Sequence, residues 1–271
     1  MNLFNQQGTI FLFLLSGTFL LLSLKKPCKS ISPASQHQTW YKGAIIRGDS
    51  TQKKMSIVFT GDEFADGTGH ILSTLKEHGI RVSFFFTGRF YNNPDFRENI
   101  QQIKKQGHFL GAHSDQHLLY CDWTNRDSLL VTKNEFTTDL QENYKKMKGF
   151  DIKKQDAQFF IPPYEWYNDT IAVWTKEMDL QLINFTPGTI SHADYTTPLD
   201  KNYRSSEEIF KSITRYEEKD ENGLNGFILL MHIGTDPNRT DKFYKRLDDL
   251  LVMLKNKEYQ PVAINKLLYM D

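Results

Sequence analysis

Hydrophobic and polar positions fall into two alternating patterns along most of this chain. Compact apolar runs at residues 55–59, 81–87, 108–112, 158–161, 180–185 and 226–231 each stop at a polar loop, as buried strands do. Between and after them, residues 70–78, 95–106, 134–147, 169–178, 205–216 and 242–255 carry apolar positions at three- and four-residue spacing, which predicts helices with one buried face. Gly79 and Gly107 follow the first two as caps. A short strand within residues 40–47 leads in, and Val262 and Ile264 read as a closing strand. Strand and helix in strict alternation argue for a parallel α/β sheet. No repeat, low-complexity block or linker interrupts it, so residues 39–271 read as one domain.

Ahead of that domain lies a different pattern. Residues 10–24 are almost wholly apolar and are followed by Lys25 and Lys26. The run is short for a membrane-spanning helix and reads as the core of an export signal. No Lys or Arg precedes it, so a retained membrane anchor is the alternative. Residues 1–38 are therefore read as signal or anchor plus polar tether. The expected location is outside the cytoplasm: periplasmic, cell-surface or extracellular.

Composition narrows the partners. The chain has 33 basic and 33 acidic residues and no net charge, so no electrostatic excess draws it to nucleic acid, and a monomer is expected. Its 20 Phe, 12 Tyr and 4 Trp are abundant enough to serve both a core and a sugar-stacking surface. Cys28 sits in the tether and Cys121 in the body. Two such cysteines build neither a disulfide framework nor a thiolate zinc site, and Cys121 is expected to be a buried thiol.

In parallel α/β folds reactive groups collect just beyond the carboxyl ends of strands. Four such places carry chemistry here. The first has Asp62 and Glu63, with Asp66 three residues on; the next has His113 and His117 within HSDQH. A third reads Pro162-Pro163-Tyr164-Glu165-Trp166, and the late apolar run ends at His232. Two imidazoles four residues apart share one face of a helical turn and can share one divalent ion, which a carboxylate commonly completes. One of the adjacent acids can bind such an ion while the other accepts a proton from water. His232 suits a general acid. Trp123, Trp166 and Tyr167 follow these motifs and are candidates either for a binding surface or for packing on the barrel rim, and Asp194 and Tyr195 for lining the pocket.

In that order the motifs resemble the polysaccharide deacetylase family, the NodB-homology carbohydrate esterases. The family reads TFDDG, HSxxH, RxPY and a Leu-x-His strand end, against Thr60-Gly61-Asp62-Glu63, His113 to His117, Ile161-Pro162-Pro163-Tyr164 and Leu230-Met231-His232 here. The helix and strand at 71–88 are also similar to the family's, and the likeness runs from about Met55 to the C-terminus. The resemblance implies a distorted (β/α)7 barrel and a metal-dependent hydrolase that removes acetyl groups from a polysaccharide or oligosaccharide. It implies that His113, His117 and an acid of the first motif hold a divalent metal, zinc first, with cobalt, nickel or manganese as alternatives. Asp62 would be the base, Glu63 the metal ligand and Asp66 the rival ligand. His232 would protonate the leaving amine, the metal and a backbone N–H near Tyr164 would hold the oxyanion, and Tyr164, Glu165 and Trp166 would meet the substrate.

Three departures from the family pattern stand out. The first motif reads TGDEFADG, Ile161 replaces the Arg that orients the base, and Glu165 replaces the Gly after the Pro-Pro-Tyr. They keep two other readings in play: a carbohydrate-binding protein on the same barrel with weakened turnover, and a metal-dependent hydrolase of another amide or ester.

Overall fold

The computed structural model describes Met1 and residues 37–268. The apolar run at 10–24, Cys28 and nearly all of the tether lie outside the described residues.

Strands β1 (Thr39–Tyr41) and β2 (Ala44–Arg47) form an antiparallel hairpin, and β3 (Lys54–Gly61), β4 (Ser83–Phe86), β5 (Phe109–Ala112), β6 (Phe159–Phe160), β7 (Gln181–Leu182), β8 (Ile228–His232) and β9 (Gln260–Pro261) follow. Helices α1 (Thr68–Glu77), α2 (Gly88–Asn92), α3 (Arg97–Lys105), α4 (Lys133–Lys148), α5 (Asp169–Glu177), α6 (Ser206–Lys219), α7 (Leu247–Asn256) and α8 (Ile264–Leu268) alternate with them. The main sheet runs β7-β6-β5-β4-β3-β8, with β9 added beside β3, and every pair in it is parallel.

The period of two along each strand divides the apolar side chains between the sheet's faces. Val58, Phe85, Phe159, Ile183, Ile228 and Leu230 belong to one small core. Their neighbours Ile57, Phe59, Phe84, Phe86, Phe160, Leu229 and Met231 belong to the larger core under the helices. Helix α8 contributes Ile264, Leu267 and Leu268 to the small core. Its Ile264 N–H donates to Ser83 Oγ at the start of β4 (2.8 Å), and Val262 N–H to the Met55 carbonyl near the start of β3 (2.8 Å). The floor of the barrel is thus plugged at the strands' amino ends, and the carboxyl ends are left for chemistry.

The barrel closes without a continuous ladder, which is its distortion. Strand β2 meets the end of β7 through an isolated parallel bridge, Ile45 to Ile183, and Asn184 N–H donates to the Ile45 carbonyl (3.0 Å). Thr186 then joins β2 to β8. Its hydroxyl donates to the Ile46 carbonyl (2.5 Å) and accepts from Ile228 N–H (2.9 Å), while its own N–H donates to the Ile228 carbonyl (3.0 Å).

Three sequence expectations are corrected. The lead-in at 40–47 is two strands, because Lys42 and Gly43 both take positive φ (44° and 76°) and reverse the chain. Ile264 opens helix α8 and is not part of a closing strand, which is Gln260–Pro261. His113 and His117 sit on a loop, not on a helical turn, because Ser114 and His117 have φ of 73° and 56°. Cys121 is a buried free thiol, as expected. Among the described residues no helix is long and apolar enough to cross a membrane.

The closure gives a direct test. Thr186→Val keeps shape but leaves a buried carbonyl and a buried N–H unpaired, a cost of about 1–3 kcal/mol. Thr186→Ser restores most of it, as read by urea denaturation.

Candidate active site

The carboxyl ends of the strands lie in one layer. Gly61 pairs with Phe86, Phe86 with Ala112 and Ala112 with Phe160, while Thr60 pairs with His232. The residues that follow, Asp62, Thr87, His113 and Ile161, therefore emerge side by side, with His232 on the far side of β3.

The histidine loop is built from α4. Asp139, a buried residue of that helix, accepts from Ser114 Oγ (2.7 Å), Asp115 N–H (2.9 Å) and Gln116 N–H (2.9 Å). Asn143, one turn on, accepts from His113 N–H (3.1 Å) and donates to the Phe86 carbonyl (3.3 Å). His117 N–H then donates to Ser114 Oγ (3.1 Å). These contacts bring the rings of His113 and His117 to 5.1 Å between centroids. His113 Nδ1 lies 2.9 Å from the Ile161 carbonyl. A bond to a carbonyl requires the proton on Nδ1 and leaves Nε2 with its lone pair.

Both imidazoles are held neutral. Burial pushes His113 well below the ordinary histidine range, and His117 and His232 add to it against the Ile161 bond. Burial also takes His117 down to about 4 against the pull of Asp62, with Arg89 and His232 adding to the burial effect. Neutral imidazole is the form that binds metal.

Asp62 is gripped from β4's end. Thr87 caps α2 by accepting from Phe90 N–H (3.1 Å) and donates its hydroxyl to Asp62 Oδ1 (2.7 Å). Arg89 forks across the same carboxylate, Nε to Oδ1 at 3.0 Å and Nη2 to Oδ2. Helix α2 itself docks on the histidine loop, Gly88 N–H donating to the Ser114 carbonyl (3.0 Å) and Arg89 N–H to that of Asp115 (3.2 Å). A Cβ at Gly88 would stand 1.7 Å from Asp115 Oδ1, so only glycine allows that docking.

His232 has its own carboxylate. Asp194, nearly fully buried, accepts from His232 N–H (2.9 Å), and its other oxygen lies 2.6 Å from Nδ1. Burial opposes the charged imidazole, but the charge and hydrogen bond of Asp194, helped by Glu165, prevail and raise the pKa. Glu165 sits near both. Burial, aided by Asp194 and opposed by His232, pushes its carboxyl up to about 7. Tyr164 and Glu165 both have left-handed backbone, with φ of 57° and 52°. The N–H groups of Glu165 and Trp166 donate to the Pro162 and Pro163 carbonyls; among the described residues no carbonyl takes that of Tyr164.

The first-motif acids part company from Asp62. Asp66 accepts from Thr235 N–H (2.9 Å) and Tyr244 Oη (2.8 Å) and pairs with Lys242 (3.1 Å), tying two loops together. Glu63 is exposed and lines a separate cavity of about 520 Å³ with Asp66, Phe96 and Lys242. Among the described residues no three His, Cys, Asp or Glu side chains converge as a metal cage. The two imidazoles fit a divalent cation in donor type and charge state. The carboxylate donor does not stand with them in this arrangement.

Sequence reasoning missed Arg89 and Asp139 and undervalued Asp194. Arg89 had a legible signal, since it follows the apolar run 81–87 by two residues, at a strand end like the others. Asp139 lies on the inner face of a helix with nothing to mark it.

Comparison with known proteins agrees with this fold. The polysaccharide deacetylase family model matches residues 48–183. The chain is 24% identical over 226 residues to the peptidoglycan-N-acetylmuramic acid deacetylase PdaA of Bacillus subtilis, covering 83% of this chain and 75% of that protein. Its fold matches the solved structure of that family 4 carbohydrate esterase with a TM-score of 0.64 at 19% identity, over 89% of this chain and 98% of the other. A CE4 family pseudoenzyme from Bacillus anthracis matches with a TM-score of 0.65 at 19% identity, over 85% and 70%.

Two predictions follow from the second carboxylates. Asp139→Asn trades a charged acceptor of three donors for a neutral amide, a loss of about 2 kcal/mol or more in denaturant titration. Asp194→Asn removes the charge that raises His232, so the His232 imidazole, followed by NMR in the metal-free protein, titrates at lower pH than in the wild type.

Proposed function

The chain belongs to the polysaccharide deacetylase family, and from that premise we propose that it hydrolyses acetyl groups from the amino sugars of an acetylated polysaccharide, peptidoglycan first. One observation carries this reading: Asp62, just past the end of β3, and His232, at the end of β8, are each held by a charged partner near a neutral imidazole pair.

In this reading Asp62 takes the proton of the attacking water, and Arg89 and Thr87 fix which way its oxygens face. Arg89 does the work expected of the arginine missing at Ile161. The acetyl carbonyl oxygen, as it gains charge, lies against the Tyr164 N–H. His232, kept charged by Asp194, gives its proton to the departing nitrogen as the carbon–nitrogen bond breaks, leaving acetate and a free sugar amine. His113 and His117 would hold a divalent ion, zinc first, and when bound it would polarise the carbonyl and acidify the water. Glu63 is the proposed third donor, because its exposed carboxylate has no partner among the described residues whereas Asp66 is committed to Thr235, Tyr244 and Lys242. A cell-wall polymer lies outside the cytoplasm, consistent with an export signal or anchor at residues 10–24.

A second reading, a glycan-binding protein without turnover, draws on Glu63 standing apart from the histidines and on the likeness to a pseudoenzyme. Acetate release from acetylated amino-sugar oligomers and peptidoglycan, with zinc or cobalt and with chelator, separates the two. The hydrolase reading expects metal-dependent release that falls by about 10²- to 10⁴-fold in Asp62→Asn and in His232→Ala. Arg89→Gln costs about 100-fold through misorientation, and Arg89→Lys recovers only part, since an ammonium cannot fork across a carboxylate. Metal binding that needs both histidines, with no release from any substrate, establishes the binding protein instead.

A further inference from the structure

We propose that Trp123 and Tyr164 form a sugar subsite beside the reactive centre, which takes a neighbouring ring of the polysaccharide on their open faces. The ligand class rests on the function proposed above; the site itself rests on the arrangement of five side chains.

Trp123 and Tyr164 are 56% and 45% exposed, although their rings meet at 5.6 Å, edge to face. Tyr164 in turn lies 4.4 Å from the His117 ring, so the row begins at the reactive centre. On its other side Trp123 leans on Trp166 at 5.4 Å, and the Arg126 guanidinium covers the Trp166 ring at 3.9 Å. Aromatic surface left in water at the mouth of a site marks a binding surface.

The loop that presents Trp123 is held firmly. Cys121 and Leu129 pair as an antiparallel bridge, and Asp122 N–H donates to the Ser128 carbonyl (2.9 Å). The Asp122 carboxylate accepts from Thr124 and Asn125 N–H (2.8 and 2.7 Å), and its carbonyl accepts from Trp166 Nε1 (3.2 Å). Arg126 Nε donates to the Tyr167 carbonyl (2.5 Å), which fixes the guanidinium over Trp166. Every one of these bonds positions the loop, and none buries the Trp123 indole. Folding alone gives no reason to fix so large an apolar side chain in solvent.

A pyranose supplies what such a surface lacks: a face of C–H groups that covers an aromatic ring while its hydroxyls stay in water. Two flat side chains set at 78° form a corner, so one ring can stack on Trp123 with its edge against Tyr164. Tyr164 ends the motif whose backbone N–H is assigned above to the reacting acetyl group, so the ring on Trp123 belongs to the next sugar along. Binding energy gathered there can position the reacting sugar.

The test uses the full chain, with N-acetylglucosamine hexamer, N-acetylglucosamine monomer and muramidase-digested peptidoglycan as probes. Binding is read by tryptophan fluorescence and calorimetry on wild type and Asp62→Asn; acetate release is read in parallel on wild type. Trp123→Ala should weaken hexamer or peptidoglycan binding at least tenfold (about 1.4 kcal/mol) and raise KM far more than it lowers kcat. Trp123→Phe should recover most of the affinity, which separates stacking from loop collapse. The monomer should bind weakly and respond less than the hexamer. Binding that depends on Trp123 without any acetate release sinks the hydrolase reading and leaves the subsite standing. Acetate release with an unchanged KM in Trp123→Ala overturns the subsite, as does failure of wild type to bind any of the three probes. Loss of self-association in Trp123→Ala, with glycan binding intact, overturns it too and makes the patch a contact between copies of the chain.

Discussion

The loop that carries His113 and His117 has no helix or strand to shape it, and its geometry depends on the buried carboxylate of Asp139. Three donors converge on that group, two of them consecutive backbone N–H groups, and so force residues 114–117 into a path with two left-handed residues. Non-glycine residues in that region cost on the order of 1–2 kcal/mol each. A charged acceptor with three partners can offset such strain, since hydrogen bonds to charged groups contribute about 1.5–3 kcal/mol. Without Asp139 the loop would lose this anchor, and the spacing of the two imidazoles would no longer be fixed. The acid that organises the site therefore lies on α4, behind the reactive surface.

From that loop the constraint passes to the base. Helix α2 starts by donating two N–H groups to the carbonyls of residues 114 and 115, and the helix carries Arg89 to Asp62. The histidine loop, α2 and the Asp62 carboxylate are thus one mechanical unit. In the proposed function this is how the chain would tolerate Ile161. An arginine placed there would approach Asp62 from β6; Arg89 approaches it from β4, two strands away in the sheet. With the cation supplied from β4, position 161 became free to be a fully buried isoleucine in the barrel core. Its carbonyl kept the other duty, orienting His113.

Much of this was legible in the sequence. The alternation of apolar runs and helical spacing predicted the parallel sheet and most element positions, because burial on two faces leaves a strong signature. His113, His117, Asp62 and His232 were found by looking just beyond strand ends, and the fold brings those four into one region. What failed was local. HSDQH was read as a helical turn because spacing four suits a helix, and nothing in the pentapeptide announces that a distant Asp139 will override that preference. Ile264 was read as strand because one β-branched residue near a terminus carries little information. Arg89 is marked only by its place two residues past an apolar run, while the family pattern points to position 161. The stretch TGDEFADG pointed to Asp62 as base, Glu63 as ligand and Asp66 as rival ligand; tertiary bonds to Thr235, Tyr244 and Lys242 hold Asp66, and Glu63 lines a neighbouring cavity.

Glu165 shows what the departures amount to when taken together. Its backbone is left-handed, a conformation in which glycine is nearly free of strain and glutamate is not. Retaining a side chain there has a cost, so the carboxyl must earn its position by what it faces, which is His232 and Asp194. Below about pH 7 Glu165 is neutral and can donate a hydrogen bond; above it, the carboxylate adds a second negative charge beside the charged imidazole. The sign follows directly: ionising Glu165 further favours protonated His232, so this proposed general acid keeps its proton to higher pH than Asp194 alone would ensure.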